Sequence, residues 1–173
     1  MTGDETPPPA RPIPAHVVEW SESFGGGLGP VDYLNRDAAV PVVLAAQWLF
    51  CPDFAEYEGC VVALLGGGEE LSDEERSAVD AWRAHHPGDP AAVEFMVNRL
   101  SVPSLFLAVD LQPFEDDLVA LARSVARCWR GLLASHFPGR DFTVEVIDEP
   151  GAPDDPVLTF YSGPARAGAA TIA

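Results

Sequence analysis

Residues 113–139 read PFEDDLVALARSVARCWRGLLASHFPG, and residues 142–148 follow as FTVEVID. The first stretch has apolar residues at Phe114, Leu118, Leu121, Val125, Trp129 and Leu132. Their steps of three and four keep one face of a helix apolar and predict a long helix, residues 113–136, packed on a sheet. Glu115, Asp116 and Asp117 at its start and Arg123, Arg127 and Arg130 further along suit the helix dipole. Pro138-Gly139 ends it. In the second stretch Phe142, Val144 and Val146 alternate with Thr143 and Glu145, the period of a strand. Val157 to Ser162 is a second such run, and the Pro150-Gly151 turn between them predicts an antiparallel hairpin.

Upstream the signals are shorter. Ser104 to Asp110 and Gly59 to Leu65 are apolar runs of strand length, the latter continuous enough to predict a central strand. Ser72 with Glu75 three residues on is a capping box, opening a helix to about His86. Asp89-Pro90 supplies an N-cap and a first helical residue for a helix to about Leu100. Ala38 to Phe50 is apolar on nearly every side, which predicts a buried helix stopped at Pro52. His16 to Trp20 reads as a short strand and Ser21 to Arg36 as a Gly-rich loop. The expected fold is therefore one α+β domain over residues 15–163. It has a mixed sheet of about five strands, helices mainly on one face and a C-terminal hairpin. The Pro-rich residues 1–14 are expected to be a disordered tail and residues 164–173 a flexible end.

Composition narrows the chemistry. Twenty-seven acidic residues oppose ten basic ones, for a net charge of −17 over 173 residues, and every basic residue is arginine. Such a chain repels nucleic-acid phosphates and anionic membranes at long range, and draws a basic protein towards it. Without lysine there is no Schiff base, no P-loop lysine and no kinase ATP lysine. The composition, rich in Arg, Ala, Gly and Pro, fits a GC-rich genome. Cys51, Cys60 and Cys128 are odd in number and widely spaced, so no disulfide framework is expected, and each sits in an apolar run that favours a buried, inert thiol, with Cys128 the exception to watch because Arg127 and Arg130 flank it. The N-terminus lacks an apolar core, and the longest apolar run, Val40 to Cys51, is too short to span a bilayer, so the cytoplasm is the expected compartment.

No motif states a mechanism. Asp110, at the end of an expected strand, is the one catalytic candidate, and it has no partner in the sequence. His85 and His86 close a helix, where the dipole favours a cation, and adjacent helical residues point about 100° apart. No paired-cysteine or HExxH spacing predicts a metal, and no fingerprint predicts a cofactor. Gly66-Gly67-Gly68 follows a strand, but five carboxylates within residues 69–75 would repel a phosphate. The acids gather at 69–75, 115–117 and 148–155. From these, Glu69, Glu70, Glu74, Glu75, Asp148, Glu149, Asp154 and Asp155 are the candidate partner-binding residues. Arg123, Arg127 and Arg130, at i, i+4 and i+7, are a candidate anion-binding stripe or partners of the protein's own acids. The expected function is a non-enzymatic protein-binding module, inhibitor- or immunity-like or a regulatory adaptor, whose acidic surface takes a basic partner. The alternative is a small enzyme or ligand binder built on the 21–36 loop and the strand end near Asp110.

Overall fold

The computed structural model describes residues 13–37, 40–106, 110–149, 152 and 155–164. In chain order these form α1 (Ala15–Ser23), α2 (Pro30–Asp37), α3 (Val40–Phe50), β1 (Asp53–Tyr57), β2 (Cys60–Leu64), α4 (Asp73–His85), α5 (Pro90–Val97), β3 (Leu100–Ser101), α6 (Glu115–His136), β4 (Phe142–Ile147) and β5 (Val157–Ser162). The protein is α+β, and its strands form sheets of two and three instead of one sheet of about five. Every described pairing is antiparallel. The chain divides into two units, Met1–Val43 and Leu44–Ala173, with the boundary inside α3. The tail expectations fall almost wholly outside the described residues.

In the first unit the expected strand at His16 to Trp20 is helix α1. Its five residues are too few to separate the two periods, and the apolar positions Val17, Trp20 and Phe24 recur at three and four. The helix ends where Gly25, Gly26 and Gly27 all take positive φ, between 81° and 93°, a conformation cheap only for glycine. The expected loop at 21–36 ends in a second helix, α2, with Pro30 at its start and Asp32 Oδ2 accepting from Gly29 N at 2.8 Å. Tyr33 of α2 stands edge-on to Trp20 at 5.2 Å and to His16 at 5.7 Å, which joins the two helices.

In the second unit β1 and β2 form a hairpin from Asp53↔Leu64 to Tyr57↔Cys60. Its two-residue turn is Glu58-Gly59, both at positive φ (52° and 80°), the geometry that matches strand twist. Strand β2 is buried throughout, as its unbroken apolar run predicts. Val61 and Ala63 enter one core, while Cys60, Val62 and Leu64 enter another beneath α4 and α5. Among the described residues, however, β1 is its only backbone-paired neighbour. On its far edge Val61 N donates to Glu94 Oε1 at 2.8 Å and Ala63 N to Asn98 Oδ1 at 3.0 Å. Asn98 Nδ2 donates to Val61 O at 2.9 Å and to Phe160 O at 3.5 Å, and Ser162 N of β5 donates to Glu94 Oε2. Two side chains thus stand where a ladder between β2 and β5 would run, and the sheet is split there.

The second sheet has the order β3-β5-β4, with the predicted hairpin running from Phe142↔Ser162 to Ile147↔Val157. The expected strand at 104–110 is not one over its first three residues. Pro103–Phe106 is a 3-10 turn in which Ser104 Oγ donates to Ser101 O at 2.6 Å, and 107–109 lie outside the described residues. Helix α6 covers one face with Leu118, Ala122, Val125, Ala126, Trp129 and Leu133 buried. Trp129 is edge-on to Phe160 at 5.8 Å, and its Nε1 donates to Leu49 O at 2.8 Å. On the other face α5 meets β5, where Thr159 Oγ1 donates to Phe95 O at 2.8 Å. Both helix starts read from the sequence are in place: Ser72 and Glu75 form the capping box, and Asp89 caps α5 through Ala92 N. Helix α3 forms as expected, but it is not buried: none of its residues is.

Candidate functional site: an acidic cleft

The start of α6 is built by short-range polar contacts. Asp110 is exposed, and its Oδ1 accepts from Gln112 N at 3.2 Å, closing the 3-10 turn Gln112–Phe114 that leads into the helix. Glu115, Asp116 and Asp117 fill the first turn of α6. There the dipole stabilises carboxylates, so they need no counter-ion to be tolerated. The β4–β5 connection returns to the same place. It is held by Glu149 N donating to Asp155 Oδ2 at 2.6 Å and by Ala152 N donating to Glu149 O at 3.0 Å.

Between these two segments lies a cleft of about 560 Å3. Glu115, Asp116, Asp148, Glu149 and Asp155 line it, with Leu111, Leu118 and Val119 as its apolar part, and none of the described residues that line it is an arginine. Two of the three acidic clusters therefore converge, although more than thirty residues separate them in the chain. The cleft's described lining residues offer acceptors in number and neither a nucleophile nor a donor cation. Among the described residues no three of His, Cys, Asp or Glu converge as metal ligands.

The remaining candidates are dispersed. Glu69, Glu70, Glu74 and Glu75 sit at the start of α4 and do not line this cleft. Glu70 is 3.8 Å from Arg76, and Glu75 Oε2 accepts from Ser72 N at 2.7 Å. Asp154 lies outside the described residues. Arg130 Nη2 donates to Val144 O at 2.8 Å, against the backbone of β4, while Arg123 and Arg127 are exposed. His85 Nδ1 donates to Ala81 O and His136 Nδ1 to Leu132 O, each one turn back in its own helix. Residues 21–36 belong to the first unit, as the last turn of α1, the glycine turn and most of α2.

A second cleft, of about 460 Å3, is lined by Cys60, Arg83, His86, Asp89, Glu58 and Asp80 among others. The residue types suggest thiol chemistry, but the electrostatics oppose it. Burial pushes the Cys60 thiol above its usual 9.0 and Glu94 adds to the shift, with Arg83 and Arg140 opposing. A nucleophilic cysteine needs the reverse shift. Asp89 already caps α5, and Arg83 is held by Glu58 at 3.0 Å and Asp80 at 3.6 Å. Cys51, expected to be buried, is exposed, because α3 above it is exposed too.

One cluster escaped the sequence reading. Glu94 is fully buried and accepts from Arg140 Nη2 at 2.9 Å and Ser162 Oγ at 3.0 Å, besides Val61 N and Ser162 N. Arg140 also donates to Glu56 Oε1 and to Gly59 O, each at 3.1 Å. The one available signal was a lone charged residue in the otherwise apolar helix PAAVEFMV. No helix among the described residues is long and apolar enough to cross a membrane. The chain matches no known protein family, no curated protein and no solved structure.

Proposed function

We propose that this chain is a non-enzymatic binding module that takes a basic protein at the acidic cleft between α6 and the β4–β5 connection. The observation that carries the reading is the convergence of five carboxylates from two distant segments with no arginine among the described lining residues. A lysine or arginine side chain entering there finds several acceptors, and its methylenes meet Leu111, Leu118 and Val119. The net charge of −17 steers such a partner from a distance, and the cleft gives the attraction a location. An inhibitor of a basic protein, or an adaptor that docks on one, uses a surface of this kind.

An oligoarginine peptide of about ten residues serves as the probe, long enough to reach several carboxylates at once. The triple variant Glu115→Gln, Asp116→Asn, Asp148→Asn is compared with Glu69→Gln, Glu70→Gln, Glu74→Gln, which changes net charge equally. An exposed ion pair contributes about 0.2–1 kcal/mol, so losing three weakens binding roughly tenfold. The reading expects that loss for the cleft variant and little change for the other. Equal loss in both means that only net charge matters, and loss confined to the second assigns binding to the 69–75 cluster; either result overturns the cleft.

A further inference from the structure

Strand β1 (Asp53–Tyr57) is paired on one edge only. The N–H and C=O of a strand residue point to the same side, so the bonds on the far edge of β2 fix which residues of β1 look outward. Val61 and Ala63 turn their backbone groups to Glu94 and Asn98, away from β1. Cys60, Val62 and Leu64 therefore form the ladder, with Tyr57, Ala55 and Asp53 opposite them. That leaves Phe54 and Glu56 with both backbone groups turned outward, and among the described residues nothing bonds to those groups. Other edges of the same unit are closed by side chains. Glu94 and Asn98 take that of β2, and Arg130 Nη2 takes Val144 O on the outer edge of β4. The edge of β1 has no such cap.

We propose that the open edge of β1 takes an extended basic segment of a partner protein as an added strand. In strand addition the main-chain bonds supply affinity, and the side chains choose the partner. Here the side chains are acidic. Asp53 and Glu56 are exposed, on opposite faces of the strand, and Glu58 follows in the turn. The Arg140 guanidinium serves both Glu56 and the buried Glu94, so one positive charge meets two negative ones. Opposite charges facing each other across neighbouring strands stabilise the pair, and like charges destabilise it. A strand carrying arginine or lysine meets Asp53 on one face and Glu56 on the other. A second copy of this chain instead brings a further charge of −17, which repels at long range. The same acids thus keep copies of the chain off an open edge and leave it to a basic strand. None of these residues lines the acidic cleft, so this surface is independent of it.

The probe is an end-blocked octapeptide, Arg-Arg-Val-Val-Arg-Arg-Val-Val, long enough to pass the whole of β1 and basic on both faces. Binding is followed by amide hydrogen exchange at single residues, by NMR, in the full chain carrying Glu115→Gln, Asp116→Asn and Asp148→Asn. Those substitutions neutralise the cleft, so the two proposals fail separately. At about ten times its Kd the peptide should slow exchange at Phe54 and Glu56 about tenfold. The same peptide N-methylated at every residue keeps its charge, loses its donors and should give no protection. Glu56→Pro removes an outward N–H and leaves the β1–β2 ladder intact, a change an edge strand tolerates. It should weaken peptide binding about tenfold relative to Glu56→Gln, which removes the same charge and keeps the N–H. Circular dichroism checks that both variants fold, and the N-methylated peptide decides the matter if Glu56→Pro does not. Absence of protection at Phe54 and Glu56 overturns the proposal, as does equal protection by the N-methylated peptide. A dimer of the free chain that Glu56→Pro abolishes assigns the edge to a second copy and overturns it too.

Discussion

Glu94 and Arg140 show how much one buried charge can organise. The carboxylate sits at the split between β2 and β5, and its acceptors are filled by backbone N–H groups of both strands and by the guanidinium. Removing the arginine leaves the buried carboxylate without its counter-charge. Breaking a buried pair costs about 3–5 kcal/mol, and because the Arg140 side chain is 30% exposed, water replaces part of the loss. Urea unfolding of Arg140→Ala should therefore show a loss of about 3 kcal/mol. A midpoint at the wild-type value would mean that the pair contributes no net stability. Cys60 adds a pH signature beside it. Its thiol keeps the proton in the folded state at pH values where the unfolded chain releases it. The stabilisation is complete below the unfolded value of 9.0 and is lost as pH rises through the higher folded value. Between pH 8 and 10.5 wild type should lose more stability than Cys60→Ala, and parallel losses would remove the effect.

At the scale of elements, long amphipathic segments were legible and short ones were not. Helix α6 carries its apolar stripe through more than five turns, and the expected face is the buried one down to Trp129. The stripe then drifts. A step of four reaches Leu133, which is buried, and leaves Leu132 half-exposed where the pattern had placed it in the core. Trp129→Ala should cost about 3–5 kcal/mol, and Leu133→Ala about 2–5 kcal/mol. Leu132→Ala should cost clearly less than Leu133→Ala in the same thermal or urea melts, and the reverse order would put the helix in another rotation. By contrast α1 hid in a Val-Val pair with strand propensity, and β1 hid because its five residues alternate weakly.

For the molecule as a whole, the clustered acids and the exposed apolar residues fall in different parts of the chain. The acids gather before and at the start of α4, at the start of α6 and on the β4–β5 connection, while eleven of the twelve exposed large apolar residues among those described lie between Ile13 and Trp48. Exposed charges are screened beyond about 8 Å at physiological ionic strength. Binding of an oligoarginine probe, measured by calorimetry between 50 and 500 mM NaCl, should weaken steadily across about that range. Affinity that does not change with salt would show that the carboxylates are not what the probe meets.

The amino-acid sequence by itself determined what depends on neighbours along the chain: the caps at Ser72 and Asp89, the face of α6, the β4–β5 hairpin, the lack of lysine chemistry and the strong negative charge. These are set by periodicity, by side-chain to backbone reach within four residues, or by composition alone. The tertiary structure decided what depends on residues far apart. It split the strands into two sheets because Glu94 and Asn98 take the edge of β2. It left α3 exposed despite its composition, because hydrophobicity states a preference for burial and not whether a covering surface exists within the chain. It brought Glu115 and Asp116 together with Asp148, Glu149 and Asp155 at one cleft and left Glu69, Glu70, Glu74 and Glu75 apart. A site assembled from separate segments is set by how those segments pack, and local pattern does not carry that packing.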